Sequence, residues 1–277
     1  MPFPPVNPAL ARALQAREYN EPTPVQRAVL EAPPDRDLLV SAQTGSGKTV
    51  AYGLALAPTL LGDEERFPRS DAPLALVIAP TRELAMQVHA ELGWLYAQAG
   101  GRVVACVGGM DPRRERYALE AGCHIVVGTP GRLRDHLERG NLNLQRLRAV
   151  VLDEADEMLD LGFRDELEAI LDATPPERRT LLFSATIPRE IAQLAREYQR
   201  DAVRLDMVAR DEPHGDIEYR AIAAAPTDVE RAVVNLLRYY EVRAALVFCS
   251  TREAVRRLHA SLIERGFAAV ALSGELS

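Results

Sequence analysis

The stretch AQTGSGKT, residues 42–49, follows a short apolar run and precedes a predicted helix. A glycine-rich loop between a strand and a helix lets the backbone approach phosphate groups, and amides at the helix start point towards the anion. The loop begins with Ala42 where the strict pattern has glycine, and a plain glycine-rich turn is the alternative interpretation. The predicted phosphate-binding residues are Ala42, Gln43, Thr44, Gly45, Ser46, Gly47, Lys48 and Thr49.

Lys48 is the only lysine among the 33 lysine and arginine residues of the chain. A compact ammonium fits between phosphate oxygens where a planar guanidinium would be too wide. We therefore expect Lys48 to reach the β- and γ-phosphates and the Thr49 hydroxyl to hold Mg²⁺.

Seven short apolar runs alternate with helical segments along the first 207 residues. Near-continuous apolar strands separated by helices predict a doubly wound α/β fold, a parallel sheet with helices on both faces. In such folds the chemistry lies at the carboxyl ends of the strands. The predicted strands are 38–41, 74–79, 103–107, 125–128, 149–153, 180–184 and 203–206.

The rest of the chain predicts a linker and a second α/β unit. Residues 208–216 are polar and contain Pro213 and Gly215, as linkers often do. Residues 217–277 suggest strands at 217–222, 245–249 and 268–272 and a helix at 252–265. This is too short for a complete doubly wound domain, so we expect domain 1–207, linker 208–216 and an incomplete second domain, 217–277.

Composition places the chain among ordinary folded proteins. Its 277 residues are 47% hydrophobic and 26% charged, which argues against a disordered, collagen-like or disulfide-stapled protein. The net charge of −7 argues against a broad polyanion-binding surface, so any nucleic-acid contact must be local. The apolar runs are too short to span a bilayer and the start lacks a secretory layout, which together predict a cytoplasmic protein and no membrane contact.

The cysteines and histidines show no metal-binding pattern. Cys106, Cys123 and Cys249 are widely spaced and lie in or beside apolar runs, which predicts buried reduced thiols. The five histidines have no ligand spacing either. We therefore predict no metal held by the protein alone.

A second chemical motif, VVLDEAD at 150–156, is an apolar strand ending in adjacent carboxylates. Asp153 is placed to bind Mg²⁺ through water, and Glu154 to orient or deprotonate an attacking water. With Lys48 these are the candidate catalytic residues. Acidic residues at a helix start can also simply complement the helix dipole, which is the structural alternative.

Taken together, these motifs resemble those of the DEAD-box ATP-dependent RNA helicases. The family signature is literal from Asp153 to Asp156, and the other motifs occur in family order over nearly the whole chain. They are YNEPTPVQ ending at Gln26, PTRELA from Pro80, Gly108-Gly109, TPGR from Thr129, SAT from Ser184, VFCST from Val247 and LSGELS from Leu272. The resemblance implies a RecA-like P-loop NTPase domain followed by the start of a second RecA-like unit.

For the nucleotide, the resemblance implies that Gln26 hydrogen-bonds the adenine edge of ATP. Tyr19 would stack on the base and Phe3 would support that end of the site. Tyr19 stands where the family usually has Phe, and Glu18 where it usually has Gly. Ordinary packing of an N-terminal segment is the alternative for Tyr19 and Phe3.

For RNA, the resemblance implies contacts to the backbone that are largely independent of sequence. Glycine pairs and helix-start amides can bind phosphates without reading bases, and an acidic protein tolerates such local sites. Arg82 and Arg132 would add positive charge, although each could instead be a solvated or salt-bridged arginine. The implied RNA-binding residues are Pro80, Thr81, Arg82, Gly108, Gly109, Thr129, Pro130, Gly131 and Arg132.

The resemblance also implies that Ser184 and Thr186 link to Asp156 and couple the nucleotide site to the RNA surface. A short polar turn that caps the next helix is the alternative.

The implied activity is RNA-dependent ATP hydrolysis coupled to local duplex unwinding. The family's second domain normally adds arginines that reach the γ-phosphate, and no residue after Ser277 is present to supply them. We therefore expect this chain to bind adenine nucleotide with at most trace hydrolysis. A nucleotide-gated RNA clamp and a DNA helicase are the alternative functions.

Overall fold

The computed structural model describes residues 2–207, 218, 220–241 and 243–273. The chain divides into two compact units, residues 1–210 and 211–277. The predicted linker 208–216 lies outside the described residues.

The first unit is built on one seven-stranded sheet whose strands are all parallel. The strand order is β3-β4-β2-β5-β6-β1-β7. Each strand lies within a residue or two of its predicted position, and the predicted sheet is therefore confirmed. The strands are β1 Leu38–Ser41, β2 Ala75–Ile78, β3 Val103–Cys106, β4 Ile125–Gly128, β5 Ala149–Leu152, β6 Arg179–Ser184 and β7 Val203–Asp206.

Nine helices of this unit are described. Several begin at residues that favour helix starts: the Thr23 side chain accepts a hydrogen bond from the Gln26 amide, and Thr81 caps the Leu84 amide in the same way. The helices are α1 Pro8–Ala16, α2 Pro24–Glu31, α3 Lys48–Leu61, α4 Arg82–Leu95, α5 Pro112–Glu120, α6 Pro130–Glu138, α7 Ala155–Asp160, α8 Arg164–Asp172 and α9 Arg189–Tyr198.

The sheet is buried on both faces, as continuous apolar strands require. Along β5, Ala149 and Val151 face the core that α1–α4 cover, whereas Val150 and Leu152 face the core that α5–α9 cover. The two-residue period of a strand thus divides one apolar run between two cores.

Strand order separates the predicted motifs into two groups at the carboxyl edge. The phosphate-binding loop, the acidic pair and the Ser184 motif follow β1, β5 and β6, which are neighbours. Those assigned to RNA follow β2, β3 and β4, which are also neighbours. The sequence spreads these loops over more than a hundred residues, and the sheet collects each group on its own half.

The second unit contains α10 Val229–Tyr239 and α11 Arg252–Glu264. The predicted helix 252–265 is confirmed. The three predicted strands are wrong for the described residues, since 218, 220–222, 245–249 and 268–272 carry no strand. A strand needs a neighbour to satisfy its amides and carbonyls, and without that pairing apolar side chains such as Leu246 and Phe248 are 83% and 91% exposed.

The cysteines are free thiols, and burial differs among them. Cys106 and Cys123 are buried, and burial raises the pKa of Cys123 to about 11. Cys249 is only partly buried, so the prediction of a buried thiol is wrong there. Within the described part of the chain, every helix is too short or too polar to cross a lipid bilayer.

Candidate functional site

The loop after β1 has the backbone that phosphate binding requires. Gly45 and Gly47 adopt φ of 82° and 87°, a region that L-residues rarely occupy. A Cβ at Gly47 would lie 2.6 Å from Gln26 Nε2, so this position needs glycine for space as well as for conformation. Ala42, at the strict glycine position, instead continues the β1 ladder, because its amide donates to Ser184 O at 3.0 Å.

Lys48 and Glu154 form a buried ion pair. The Lys48 ammonium donates to Glu154 Oε1 at 2.8 Å and to Ala42 O at 3.0 Å. Only 6% and 9% of the two side chains are exposed. The Thr44 hydroxyl donates to the same carboxylate oxygen at 2.9 Å. The loop after β1 and the acidic pair after β5 therefore meet at one place.

The backbone at Glu154 is unusual. Glu154 precedes α7 with φ of 52° and ψ of 55°, a left-handed conformation in a residue that has a side chain. This conformation leaves the carboxylate turned to Lys48 and Thr44 rather than capping α7, since its side chain makes no capping hydrogen bond. The Glu154 carboxylate therefore bonds side chains of the phosphate-binding loop and of α3 and makes no capping hydrogen bond to the amides of α7.

Asp153 is held by a residue that the sequence analysis missed. The Tyr52 hydroxyl, on α3, donates to Asp153 Oδ2 at 3.0 Å. Burial raises the pKa of Asp153 to about 6, the nearby Glu154 adds to this, and Lys48 opposes it. Tyr52 lies in an apolar helix, where the sequence pattern predicts that an aromatic residue packs in the core. The one signal in the sequence was its place one turn after Lys48 and Thr49.

The residues near the loop fit a magnesium ion. Asp153 Oδ1 is buried and has no hydrogen-bond partner among the described residues. The Thr49 hydroxyl lies at the start of the same helix as Lys48 and is only partly buried. Carboxylate and hydroxyl oxygens are hard ligands of the kind that Mg²⁺ prefers, and Asp153 Oδ1 is a buried acceptor that no described residue uses.

Helix α2 is tied directly to the phosphate-binding loop. Gln26 is 1% exposed, accepts from the Thr23 amide at 3.0 Å and donates to Gly47 O at 3.3 Å. The Thr23 hydroxyl donates to Ser46 O at 2.8 Å. Through these bonds the residue expected to read adenine also supports the loop expected to hold the phosphates.

The two predicted aromatic contacts to the base occupy different surroundings. Tyr19 is 36% exposed, and its ring centroid lies 5.6 Å from that of Trp94. The Arg17 guanidinium lies over the Trp94 ring, 4.9 Å from its centroid. Phe3 packs against the core that α1–α4 cover. Phe3 therefore makes packing contacts of the kind that the alternative describes, and its support of the adenine end stays a prediction.

Asp156, Ser184 and Thr186 form a hydrogen-bonded cluster between α7 and the end of β6. The Thr186 amide and hydroxyl donate to Asp156 Oδ2 at 2.9 and 2.8 Å, and the Asp156 amide donates to Ser184 Oγ at 3.1 Å. Burial acts to raise the pKa of Asp156, but the hydrogen bonds from Thr186 and Ser184 outweigh it and hold that pKa below its ordinary value.

On the other half of the sheet, Arg82 lies against the glycine pair. Its guanidinium approaches Gly108 O at 3.5 Å, and a Cβ on Gly109 would lie 2.5 Å from Arg82 Nη1. Gly109 also has φ of 77°. Gly109 is therefore favoured by its conformation and by the close approach of Arg82, whereas a Cβ at Gly108 would meet nothing among the described residues within 4 Å. Pro80 and Thr81 lie directly before and at the start of α4.

Arg132 makes a buried ion pair. It donates to Glu115 Oε2 at 2.9 Å and to Met110 O at 3.3 Å, and 13% of its side chain is exposed. Glu115 also accepts from the Val107 amide at 2.9 Å and contacts His136 Nε2 at 2.7 Å. The Arg132–Glu115 salt bridge joins α6 to α5, and the bond to Met110 O joins α6 to the loop after β3.

This Glu115 network was not anticipated from the sequence, because Glu115 and His136 belong to no motif, although Arg132 does. Cys106, Glu115 and His136 place ligand-type atoms within 4.8 Å of one another in the interior. The Glu115 carboxylate is already occupied by Arg132, His136 and the Val107 amide. We therefore interpret the cluster as structural. At the start of α6, Thr129 makes no side-chain cap, and a Cβ at Gly131 would meet nothing within 4 Å.

A sequence model described as DEAD/DEAH box helicase matches residues 23–194, more than half of the chain. The chain belongs to the DEAD/DEAH box helicase family. The match includes the phosphate-binding loop, the acidic pair and the Ser184 motif.

Relatives and a solved structure agree with this assignment. The Bacillus subtilis protein named ATP-dependent RNA helicase DbpA is 38% identical over 259 residues, covering 93% of this chain and 53% of that protein. A Geobacillus kaustophilus protein named DEAD-box ATP-dependent RNA helicase CshA is 38% identical over 267 residues, with 96% and 56% covered. The chain spans about half the length of these curated relatives.

The crystal structure of a DEAD box protein from the hyperthermophile Methanococcus jannaschii matches with a TM-score of 0.67 and 34% identity. The match covers 98% of this chain and 72% of that one. The fold of this family member is therefore RecA-like, with the parallel sheet that its apolar strands predict.

Proposed function

We propose that the chain is the ATP-binding part of an RNA helicase, in which ATP hydrolysis drives local separation of RNA strands. The buried contact between Lys48 and Glu154 carries this proposal, because it joins the phosphate-binding loop to the acidic pair at 2.8 Å. β6 runs between the two strands that carry these loops, and its end bonds Asp156. The relatives named as ATP-dependent RNA helicases support the same function.

In this proposal Lys48 exchanges one anion for another. The Lys48 ammonium pairs with Glu154 when no nucleotide is present, and the β- and γ-phosphates would replace that carboxylate. Its charge is then never left buried without a partner, which would cost several kcal/mol. Glu154, once released, is free to accept a proton from an attacking water.

A magnesium ion belongs to the same proposal. Thr49 and Asp153 would hold it, in part through water, and the unpartnered Asp153 Oδ1 supports that assignment. When bound with ATP, the ion supplies positive charge that offsets the charge on the phosphate oxygens.

RNA would bind at the other half of the carboxyl edge. Amides at the starts of α4 and α6 and the Gly108–Gly109 backbone can take phosphates without reading bases, which suits a protein of net charge −7. Arg82 is an exposed cation there. Arg132, held by Glu115, would position the start of α6 rather than meet RNA with a free guanidinium. We place this activity in the cytoplasm, where RNA and ATP are both available.

The Asp156 cluster would transmit nucleotide binding between these halves. Asp156 follows the acidic pair by two residues, and Ser184 and Thr186 follow the strand between the loops. A shift of Glu154 on nucleotide binding would therefore change the hydrogen bonds of Asp156.

Calorimetry with ADP and GDP on this chain tests the nucleotide site. We expect ADP to bind at least about 10-fold more tightly than GDP and Gln26→Ala to remove most of that preference, since a site with polar groups built for one base rejects the other. Thr23→Ala is the matched control, because it weakens the α2 cap without removing the Gln26 amide. Equal binding of ADP and GDP by the unaltered chain would contradict the proposal.

RNA-stimulated phosphate release by the longer protein tests the activity. We expect RNA to raise ATP turnover and a DNA of matched sequence to raise it less. Turnover that RNA does not change, in a protein that binds ADP, would leave a nucleotide-binding protein and exclude the helicase.

A further inference from the structure

Tyr52 is a buried polar residue that the proposed reaction does not use. It lies on α3, is fully buried, and packs edge-on against Phe183 with ring centroids 5.3 Å apart. Its hydroxyl donates to Asp153 Oδ2 at 3.0 Å across 101 positions of sequence. The apolar body of Tyr52 explains its packing, but it does not explain why its hydroxyl meets the acid that follows β5.

The Asp153 carboxylate is therefore asymmetric. Oδ2 is committed to Tyr52, whereas Oδ1 is buried with no partner among the described residues. The terminal torsion of an aspartate is broad and two-fold, so a carboxylate without partners can present either oxygen. The Tyr52 hydroxyl restricts this rotation of the carboxylate and leaves Oδ1 without a partner in the described part of the chain.

The packing of Tyr52 makes this restraint rigid. The phenol ring is held by Phe183 at the end of β6 and by its own helix, which begins at Lys48. A group that is held by packing positions its partner better than one on a mobile loop. The same helix carries Thr49, so α3 would place one oxygen ligand of the ion directly and the other, on Asp153, through Tyr52.

We propose that Tyr52 is a positioning residue that fixes the Asp153 carboxylate with Oδ1 presented to the magnesium ion of bound ATP. The inference rests on the proposed function. Tyr52 itself would touch neither the ion nor the nucleotide. Outer-shell partners of this kind typically change metal affinity 10- to 100-fold when they are removed.

Tyr52→Phe keeps the packing and deletes the hydroxyl. Tyr96→Phe is a matched control, because Tyr96 is also fully buried and its hydroxyl donates to Gly53 O, on the same helix, at 2.6 Å. Both variants delete one buried hydroxyl that forms a hydrogen bond to or from α3, and only the Tyr52 hydroxyl bonds Asp153. The Tyr52 hydroxyl also interacts with the Thr49 side chain on the same helix.

The measurement is binding of a β,γ-imido ATP analogue to the chain, in Mg²⁺ and in EDTA. We expect Tyr52→Phe to reduce the gain in affinity that Mg²⁺ confers by about 10-fold and to leave the affinity in EDTA within about 2-fold of the unaltered chain. Tyr96→Phe should keep the full gain. Thermal unfolding of each variant shows that it is folded.

The outcomes separate the positioning role from the proposed function. If the unaltered chain gains affinity from Mg²⁺ and Tyr52→Phe gains as much, the positioning role is wrong and the proposed site stands. An equal loss in Mg²⁺ and EDTA would make Tyr52 a structural residue only, and would also overturn the role. If the unaltered chain gains nothing from Mg²⁺, the magnesium site fails and the role of Tyr52 with it.

Discussion

Lys48 shows at the scale of one residue how burial selects a side chain. Its ammonium lies between Ala42 O and Glu154 Oε1, at 3.0 and 2.8 Å, with almost no exposed surface. A guanidinium is wider and planar, and cannot take two such partners in the same space. The other 32 of the 33 lysine and arginine residues are arginine, so the exception coincides with a buried cation site at the phosphate-binding loop.

Lys48→Arg should therefore abolish nucleotide binding. We expect affinity for ADP to fall by at least about 10-fold, because the larger head both strains the loop and misses the phosphate position. Calorimetry on the folded variant is the measurement. Unchanged ADP affinity would mean that Lys48 is a structural partner of Glu154 and no more.

Glu154→Gln should have the opposite profile. The amide keeps the volume and still accepts a hydrogen bond, but Lys48 no longer has to leave a charged partner, so ADP should bind at least as tightly as in the unaltered chain. In the longer protein, ATP turnover should fall about 100-fold or more, the usual contribution of a general base. Normal turnover would contradict the assigned role of Glu154.

Asp153 predicts a pH dependence of stability in EDTA without nucleotide. Its pKa is raised from 3.8 to about 6 in the folded chain, so the native state holds this proton to higher pH than the unfolded state does. The stability that Asp153 contributes is therefore full below about pH 4 and is lost as pH rises through 6. Asp153→Asn lacks this loss.

Urea unfolding at pH 5 and pH 8 measures the effect. Relative to the unaltered chain, Asp153→Asn should gain roughly 1–2 kcal/mol of unfolding free energy between these two pH values. Asp156→Asn is the control: the pKa of Asp156 is lowered from 3.8, so both its folded and unfolded values lie below this range. A pH-independent difference for Asp153→Asn would refute the raised pKa.

Motif residues could be assigned from the sequence because their spacing and type are set by phosphate and metal chemistry. Lys48 and Glu154 were predicted to converge, and they do. Tyr52 and Glu115 were missed, since a tyrosine in an apolar helix and a glutamate in a polar one have ordinary structural explanations. Arg132 was left open between RNA contact and a salt bridge, and its bond to Glu115 appears only in the folded chain.

At the scale of elements, the end of β6 and the start of α7 are joined by side chains rather than by a ladder. Thr186 bonds Asp156 through both its amide and its hydroxyl, and Ser184 accepts from the Asp156 amide. The hydrogen bond from the Thr186 amide does not depend on the side chain, whereas the bond from the Thr186 hydroxyl can be removed by substitution.

Thr186→Ala should therefore cost about 1 kcal/mol of unfolding free energy, the usual net value of one hydrogen bond, while leaving ADP affinity near that of the unaltered chain. In the longer protein it should reduce the stimulation of ATP turnover by RNA. Thr186→Ser keeps the hydroxyl and should restore both properties. Full RNA stimulation in Thr186→Ala would argue for a capping turn instead of a coupling contact.

The strands of the first unit could be predicted from their apolar sequences, whereas similar sequences in the second unit gave a wrong prediction. β2, β4 and β5 are buried along their whole length, so their sequences are continuously apolar. Residues 245–249 have the same composition, but composition does not supply a neighbouring strand. Pairing is a tertiary property, and only the helix 252–265 could be predicted locally.

At the scale of the whole molecule, the two units differ in how their apolar residues are used. The first unit buries its apolar strands on both faces of one sheet. In the second, the described residues include exposed apolar side chains at Leu246, Phe248, Val270 and Leu272. Backbone amides should therefore be protected from hydrogen exchange in the strands of the first unit and unprotected in the exposed apolar segments of the second.

Hydrogen exchange measured by mass spectrometry tests this division. Peptides covering 244–249 and 268–272 should exchange within seconds, since their amides have no ladder partners, whereas peptides covering β4 and β5 should be protected by at least about 100-fold. Peptides from α11 serve as the internal control for a folded element of the same unit. Slow exchange at 244–249 would show that these residues pair in solution.

The left-handed backbone at Glu154 sets stability and chemistry against each other at one position. An L-residue there gives up about 1–2 kcal/mol relative to glycine, which would adopt the same φ and ψ freely. A chain optimised only for folding would carry glycine at this place and lose the carboxylate that faces Lys48. The acid is thus retained against the preference of its own backbone, and the rest of the parallel sheet must supply the free energy that this one residue gives away.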